Sequence, residues 1–72
     1  MKVIWNLDNE VAIPTKQITS FQIGTIDEWS EKSREGWKGG RYYVIVRYAI
    51  SGNDIVFTSD SKGDCIRFIE CV

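Results

Sequence analysis

The C-terminal half of the chain has the hydrophobic pattern of a β-hairpin followed by a helix. Residues 41–50 are apolar on both alternating faces, which suits a strand in the centre of a sheet. Residues 51–54 predict the turn, because Gly52 can adopt positive φ without steric cost. Residues 55–58 then predict the returning strand.

A capped amphipathic helix is predicted after that strand. Ser61 followed by Asp64 resembles a capping box with Asp in place of Glu. The apolar residues that follow fall at i, i+3, i+4 and i+7, which is one helical stripe; they are Cys65, Phe68, Ile69 and Val72. This helix is expected to pack across one face of the sheet.

The N-terminal third predicts three shorter strands. The first strand carries apolar residues on one face: Val3, Trp5 and Leu7. Asp8 and Asn9 predict a hairpin turn, the alternation continues at Val11 and Ile13, and Pro14 ends the second strand. A third strand follows, marked by Phe21, Ile23 and Thr25.

These elements predict one α+β domain over residues 1–72. We expect a small antiparallel sheet of about five strands, curled as a half-barrel or a pleckstrin-homology-like sheet, with one C-terminal helix packed on it. The main alternative is a small SH3-like barrel with a terminal helix. Residues 27–40 break the pattern and predict a long surface loop, in which a short helical turn at 27–30 is a lesser alternative.

Composition bounds the class of protein. The 72 residues are 43% hydrophobic and 26% charged, with a net charge of −1. No segment approaches the roughly 18 apolar residues of a membrane span, and polar residues interrupt the start of the chain where a signal peptide would be apolar. We therefore expect a cytoplasmic protein that does not bind membranes.

Enzymatic chemistry is not expected. The chain has no histidine, which is the commonest general base near neutral pH and the commonest metal ligand. Cys65 lies on the apolar stripe and Cys71 in the last helical turn, where the helix dipole disfavours a thiolate. Two thiols are also too few for a zinc site. We expect no catalytic residues, metal or cofactor.

The loop at 27–40 carries the candidate binding site. Trp29 and Trp37 lie among polar and glycine residues that give no pattern for burying them, and tryptophan is enriched at the energetic centres of protein interfaces. With Lys38 and Arg41, they are the predicted partner-binding residues. The alternative, of equal weight, is that both indoles fold back and cover an open part of the sheet.

A single-stranded nucleic-acid-binding protein is the alternative function. Residues 34–47 interleave Arg34, Lys38, Arg41 and Arg47 with aromatic side chains, a mixture that can stack bases and neutralise phosphates. Acidic residues in the loop cancel most of that charge, so nucleic acid is the less favoured partner.

Three segments resemble short uncharacterised proteins carried by phages and other mobile elements: Met1-Lys2-Val3-Ile4, Val11-Ala12-Ile13-Pro14, and the Gly52-Asn53 turn leading into a strand and helix. The resemblance implies a non-catalytic protein that inhibits a host or defence enzyme by occluding its surface. We therefore expect a small non-catalytic protein-interaction module, an inhibitor or adaptor of a host protein. A free sheet edge would let it form a homodimer or bind a partner strand.

Overall fold

The computed structural model describes residues 2–72 and is α+β. Met1, which belongs to the resemblance noted above, lies outside the described residues. The strands are β1 (Val3–Trp5), β2 (Ala12–Pro14), β3 (Ile18–Thr25), β4 (Tyr42–Tyr48) and β5 (Gly52–Ser59), and the helices are α1 (Glu31–Glu35) and α2 (Lys62–Glu70). Two 3₁₀ turns lie at Thr15–Gln17 and Ile26–Glu28.

The five antiparallel strands are confirmed, but they form two sheets and do not close into a barrel. β1 pairs with β2, and β3, β4 and β5 form a second sheet in that order. The expectation of one curled sheet, and the SH3-like alternative, are therefore wrong. The break falls where Pro14 ends β2 and the 3₁₀ turn Thr15–Gln17 intervenes, because proline offers no N–H to extend a ladder.

The core lies between the inner sides of the two sheets and α2. Ile13, Val44 and Val46 are fully buried, and Cys65 joins them from the helix. Central strand β4 is apolar on both sides, as the sequence predicted, because Tyr43 on its opposite face is also buried. The β4–β5 ladder shifts register after Val44. Val44 pairs with Phe57 and Ile45 with Ile55, so that Val56 is an extra residue on β5 without a partner on β4.

Helix α2 confirms the predicted packing across the sheet. Phe68 stacks on Phe57 of β5 with ring centroids 4.6 Å apart. Ser61 does occupy the N-cap position of α2, but its hydroxyl accepts no hydrogen bond from the N–H groups of the first helical turn. The hydroxyl of Ser59 instead donates to Asp64 Oδ2 at 2.9 Å and accepts from the Ser61 N–H at 3.1 Å, so the predicted capping box is wrong.

The β4–β5 turn lies earlier than predicted. Tyr48 already pairs with Gly52, and the left-handed residue is Ala49, with φ of 52°. Gly52 does not have positive φ. Its lack of a Cβ instead leaves room for the Tyr48 ring, which packs directly against the glycine backbone.

The segment at 27–40 is more ordered than a plain surface loop. After the 3₁₀ turn, Ser30 caps α1 by accepting the Ser33 N–H at 3.2 Å. The five residues of α1 are all exposed, so the helix buries no apolar stripe. Sequence periodicity could not reveal such a helix, because it has no stripe to detect.

Candidate interaction surface

One side of the β1–β2 hairpin carries exposed apolar residues. Val3 lies opposite Pro14, and Trp5 lies opposite Ala12. Directly opposed residues in an antiparallel pair point to the same side, so these four form one surface. We name it the hairpin face (Val3, Trp5, Ala12 and Pro14). Trp5 is 50% exposed and Val3 36% exposed.

The opposite side of the same hairpin faces the core. Ile4 pairs with Ile13, which has no exposed surface, and Ile4 packs against the core cluster around it. The inner side therefore fixes the hairpin, and the side-chain alternation of a strand then requires Trp5 to point outward. Trp5 is exposed because the pairing of β1 with β2 places it on the side of the hairpin that faces away from the core.

Polar residues at the turn hold the hairpin in that register. The Asn6 side-chain oxygen accepts the N–H groups of Glu10 at 2.9 Å and Val11 at 3.1 Å. Asn9 adopts the left-handed conformation, with φ of 55°, which asparagine tolerates better than most residues. The predicted two-residue turn at Asp8 and Asn9 is centred correctly, but the connection is wider, because β1 ends at Trp5 and β2 begins at Ala12.

The tip of the hairpin adjoins the glycine-rich end of the 27–40 segment. The Leu7 N–H donates to the Ile55 carbonyl of β5 at 3.0 Å. Two neighbouring clefts, of about 380 and 360 Å³, both include Leu7, Asp8 and Trp37 in their lining. Lys38 lines the second cleft. The hairpin tip and the predicted loop site therefore meet along one edge.

Trp29 and Trp37 pack together over β4. Their ring centroids are 5.3 Å apart, and the Trp29 and Tyr43 centroids are also 5.3 Å apart. The Trp29 indole N–H donates to the Tyr43 hydroxyl at 3.1 Å, and that of Trp37 donates to the Gly40 carbonyl at 2.7 Å. We call these three residues the aromatic cluster (Trp29, Trp37 and Tyr43).

Two glycines make this packing possible. Gly24 of β3 lies beneath the Tyr43 ring, and Gly39 lies against the Trp37 ring, so that a Cβ at either position would overlap an aromatic side chain. Both indoles are half-buried. Of the two sequence-based alternatives, the geometry favours the indoles folding back on the sheet.

The two predicted cationic contact residues differ in their surroundings. Lys38 is exposed beside the cleft. Arg41 is also exposed, but its guanidinium donates twice to Asp27 Oδ2, from Nε at 2.8 Å and Nη2 at 2.6 Å. The hydrogen bond from Arg41 holds the pKa of the Asp27 carboxyl below its ordinary value. Arg41 therefore already has a partner within the chain, and Lys38 is the freer of the two.

The basic and aromatic residues of 34–47 do not share one stacking surface. Tyr43 is buried and Trp37 is packed against it. Tyr42 points to the opposite side of β4, towards the core, whereas Arg47 is exposed. The Arg41 guanidinium does lie over the Tyr42 ring, 5.9 Å from its centroid. Trp37 and Tyr43 lie on the other side of β4, so the segment presents no continuous row of aromatic faces for bases to stack on.

The thiols occupy contrasting positions. Cys65 is fully buried and Cys71 is exposed at the end of α2. Burial raises the pKa of the Cys65 thiol, and the neighbouring Asp64 carboxylate raises it further. A thiol held protonated within the core is a poor nucleophile. Among residues 2–72, no three histidine, cysteine, aspartate or glutamate side chains are grouped to hold a metal ion.

No family model, curated protein sequence or solved structure matches this chain. No helix within residues 2–72 is both long and apolar enough to cross a bilayer.

Sequence reasoning missed the hairpin face, although part of its signal was visible. The alternation of Val3, Trp5 and Leu7 places them on one face, but alternation alone does not say which face points inward. The partners of each strand residue carried the information. Trp5 lies opposite Ala12 and Val3 opposite Pro14, whereas Ile4 lies opposite Ile13. Two opposed isoleucines mark the side that fills a core.

Proposed function

We propose that the chain is a small non-catalytic protein-interaction module that binds through the hairpin face. The observation that carries this proposal is the half-exposed Trp5, which lies opposite Ala12 and on the same side of the hairpin as Val3. The strand already orders the backbone of Trp5, and the indole has only two side-chain torsions to fix on binding, so the conformational entropy cost is small. Tryptophan is also among the residues most enriched at interface hot spots.

Charges around the hairpin suggest the chemistry of the partner. Asp8 and Glu10 are exposed at the turn, and Asp54 lines the adjoining cleft. Lys38 lines the neighbouring cleft. The surface would suit a folded protein that offers an apolar pocket for the Trp5 indole with basic groups along one rim.

The four loop residues predicted for contact divide into two groups. Trp37 and Lys38 border the cleft at the hairpin tip, so the proposal keeps them at the edge of the surface. Trp29 and Arg41 are engaged with Tyr43 and Asp27. The proposal gives those two a supporting role in holding the segment in place.

The resemblance to proteins of phages and mobile elements supplies the biological setting of the proposal. Such a module would act on a host protein as an inhibitor or adaptor, by covering part of its surface. An apolar patch of four residues is compatible with occlusion, which needs contact area and no chemistry at the site.

The test compares two substitutions of exposed apolar residues. Trp5→Ser removes the proposed anchor, and Ile66→Ser, at a 44% exposed position on α2, is the matched control. A partner captured from host extract by the parent protein would be purified and titrated against all three proteins. We expect Trp5→Ser to weaken binding at least tenfold and Ile66→Ser to change it less than twofold.

Fluorescence gives an independent measure of the same contact. In a variant with phenylalanine at positions 29 and 37, the emission of Trp5 should shift to the blue when the partner binds. Equal binding by Trp5→Ser and the parent protein, with unchanged Trp5 emission, would contradict the proposal.

A further inference from the structure

Within residues 2–72, no second strand pairs with the outer edge of β3. Strand β3 pairs with β4 on one side and is the outer strand of the three-stranded sheet. With eight residues, it equals β5 as the longest strand described. An outer strand presents a row of unpaired N–H and carbonyl groups, which can template the addition of another strand.

The register with β4 shows which backbone groups of β3 face outward. The Ile26 N–H donates to the Arg41 carbonyl at 3.0 Å, and Gln22 pairs with Ile45 in the same register. Since hydrogen-bonded pairs alternate along an antiparallel ladder, Gln22 and its alternate neighbours bond to β4. The backbone groups that point away belong to Phe21, Ile23 and Thr25.

The sequence of β3 lacks the residue types that usually block pairing at a sheet edge. β3 reads Ile-Thr-Ser-Phe-Gln-Ile-Gly-Thr, with no charged residue and no proline. Natural edge strands commonly carry lysine, proline or an inward charge that blocks such pairing. The irregularity of β3 is confined to its start, between Ile18 and Ser20.

We infer that two copies of this chain pair through β3, antiparallel about a two-fold axis that passes beside Gln22. Each Gln22 then lies opposite Gln22 of the second copy, and Phe21 lies opposite Ile23 of the second copy. The outward groups of Phe21 and Ile23 form about four backbone hydrogen bonds across the junction. The two sheets become one of six strands, with both α2 helices on the same face.

The second copy is favoured over an unrelated strand by charge. A two-fold junction places Gln22 opposite its own equivalent, and residues farther from the axis lie progressively farther from theirs, so a charge close to the axis would repel itself. β3 has no charge to repel its equivalent and none to select an oppositely charged partner. The pairing also keeps Phe21 and Ile23 on the apolar side, where they already pack against the core.

The dimer should be weak. A single strand edge buries less than the roughly 1,600 Å² of a standard interface, so we expect a dissociation constant in the micromolar range or above. Sedimentation equilibrium of the intact protein from about 10 µM to about 1 mM should show a monomer–dimer equilibrium. A monomer throughout that range would overturn the inference.

Charge substitutions test the position of the axis. Gln22 is exposed, and Gln22→Lys places two like charges directly opposite each other, which should weaken the dimer by up to about fivefold. Ser20→Lys is the matched control, because Ser20 of one copy would face Gly24 of the other. An equimolar mixture of Gln22→Lys and Gln22→Glu should recover dimers in preference to either variant alone. Equal effects of the substitutions at 20 and 22 would contradict this register.

Amide hydrogen exchange distinguishes this edge from any other contact. In the parent protein, exchange of the Phe21 and Ile23 amides should slow as the concentration rises, whereas the Gln22 amide should be protected at every concentration. Dimers that leave the Phe21 and Ile23 amides unprotected, or that disappear in Trp5→Ser and persist in Gln22→Lys, would overturn the inference. The latter result would leave the hairpin face as the site of association.

Discussion

The three tryptophans occupy two opposite environments, and the difference comes from what lies beneath each ring. In the aromatic cluster, Trp37 packs on Tyr43 with centroids 6.2 Å apart, over a segment whose glycine leaves space for the ring. On the hairpin face, Trp5 lies opposite small Ala12, on a strand whose other side fills the core. An irregular, polar segment thus half-buries its indoles, whereas a regular strand leaves one half-exposed.

This contrast shows that local sequence context is a poor guide to whether a tryptophan is free. Glycine and polar neighbours around Trp29 and Trp37 looked like an open loop, yet glycines permit the close approach that buries an aromatic ring. Alternation around Trp5 indicated a strand with one buried side, but it did not say whether Trp5 lies on that side or on the solvent side.

The largest difference should appear when each side chain is truncated. Trp37→Ala removes a half-buried ring and the indole bond to the Gly40 carbonyl, and we expect it to lower the free energy of unfolding by about 2–3 kcal/mol. Trp5→Ala should change it by about 0.5 kcal/mol or less, as at other exposed positions. Urea unfolding followed by circular dichroism measures both. If Trp5→Ala lowered the free energy of unfolding as much as Trp37→Ala does, the two indoles would not differ in burial as described.

A second prediction concerns the space that the cluster needs. Gly39→Ala introduces a methyl group into the Trp37 ring and the Thr58 hydroxyl, so we expect a loss of about 1–3 kcal/mol from overpacking. Gly36→Ala is the matched control in the same segment, since nothing lies near its added methyl group and its φ is negative. It should be neutral or slightly stabilising. Thermal unfolding measures the stability of both variants. Equal losses of stability in Gly39→Ala and Gly36→Ala would show that Gly39 has no packing role.

The hydrogen bond within the cluster predicts a smaller effect. Tyr43→Phe keeps the ring and removes the hydroxyl that accepts the Trp29 indole N–H. We expect a loss of about 1 kcal/mol and a change in the near-ultraviolet circular dichroism of Trp29. The bond would lack energetic importance if Tyr43→Phe unfolded at the same urea concentration as the parent protein.

The ion pair that ties the segment to β4 predicts the smallest effect, and one that depends on pH. Arg41 lowers the pKa of Asp27 in the folded state. The stabilisation should be complete above the ordinary carboxyl pKa of about 3.9 and should disappear as the pH falls through the lowered value. Comparing parent and Arg41→Gln proteins between pH 6 and pH 2 isolates this contribution. A stability difference that does not shrink at low pH would contradict it.

Much of the fold was predictable from hydrophobic periodicity. β4, β5 and α2 carry regular apolar patterns, and each appears close to where the pattern placed it. The division into two sheets was not predictable, because a proline that ends a strand can lie at a sheet edge or between sheets. The position of the β4–β5 turn was missed because Gly52 serves the Tyr48 ring, whereas Ala49 takes the left-handed backbone.

The candidate site was harder to predict because it depends on tertiary contacts. Nothing near Trp29 in the sequence indicates that Tyr43, fourteen residues away, supplies both a ring and a hydrogen-bond acceptor. The exposure of Trp5 likewise depends on Ile13 being the residue that enters the core. Periodicity defines two faces of a strand, and only packing decides which one remains outside.

Quenching of tryptophan emission tests the central contrast most directly. Two proteins are needed: one with phenylalanine at positions 29 and 37, which retains only Trp5, and one with Trp5→Phe, which retains the cluster. We predict that iodide quenches the Trp5 protein severalfold more efficiently, with emission at longer wavelength, and that the difference vanishes in denaturant. Equal quenching of the two folded proteins, or stronger quenching of the cluster, would contradict the placement of Trp5 as the exposed indole.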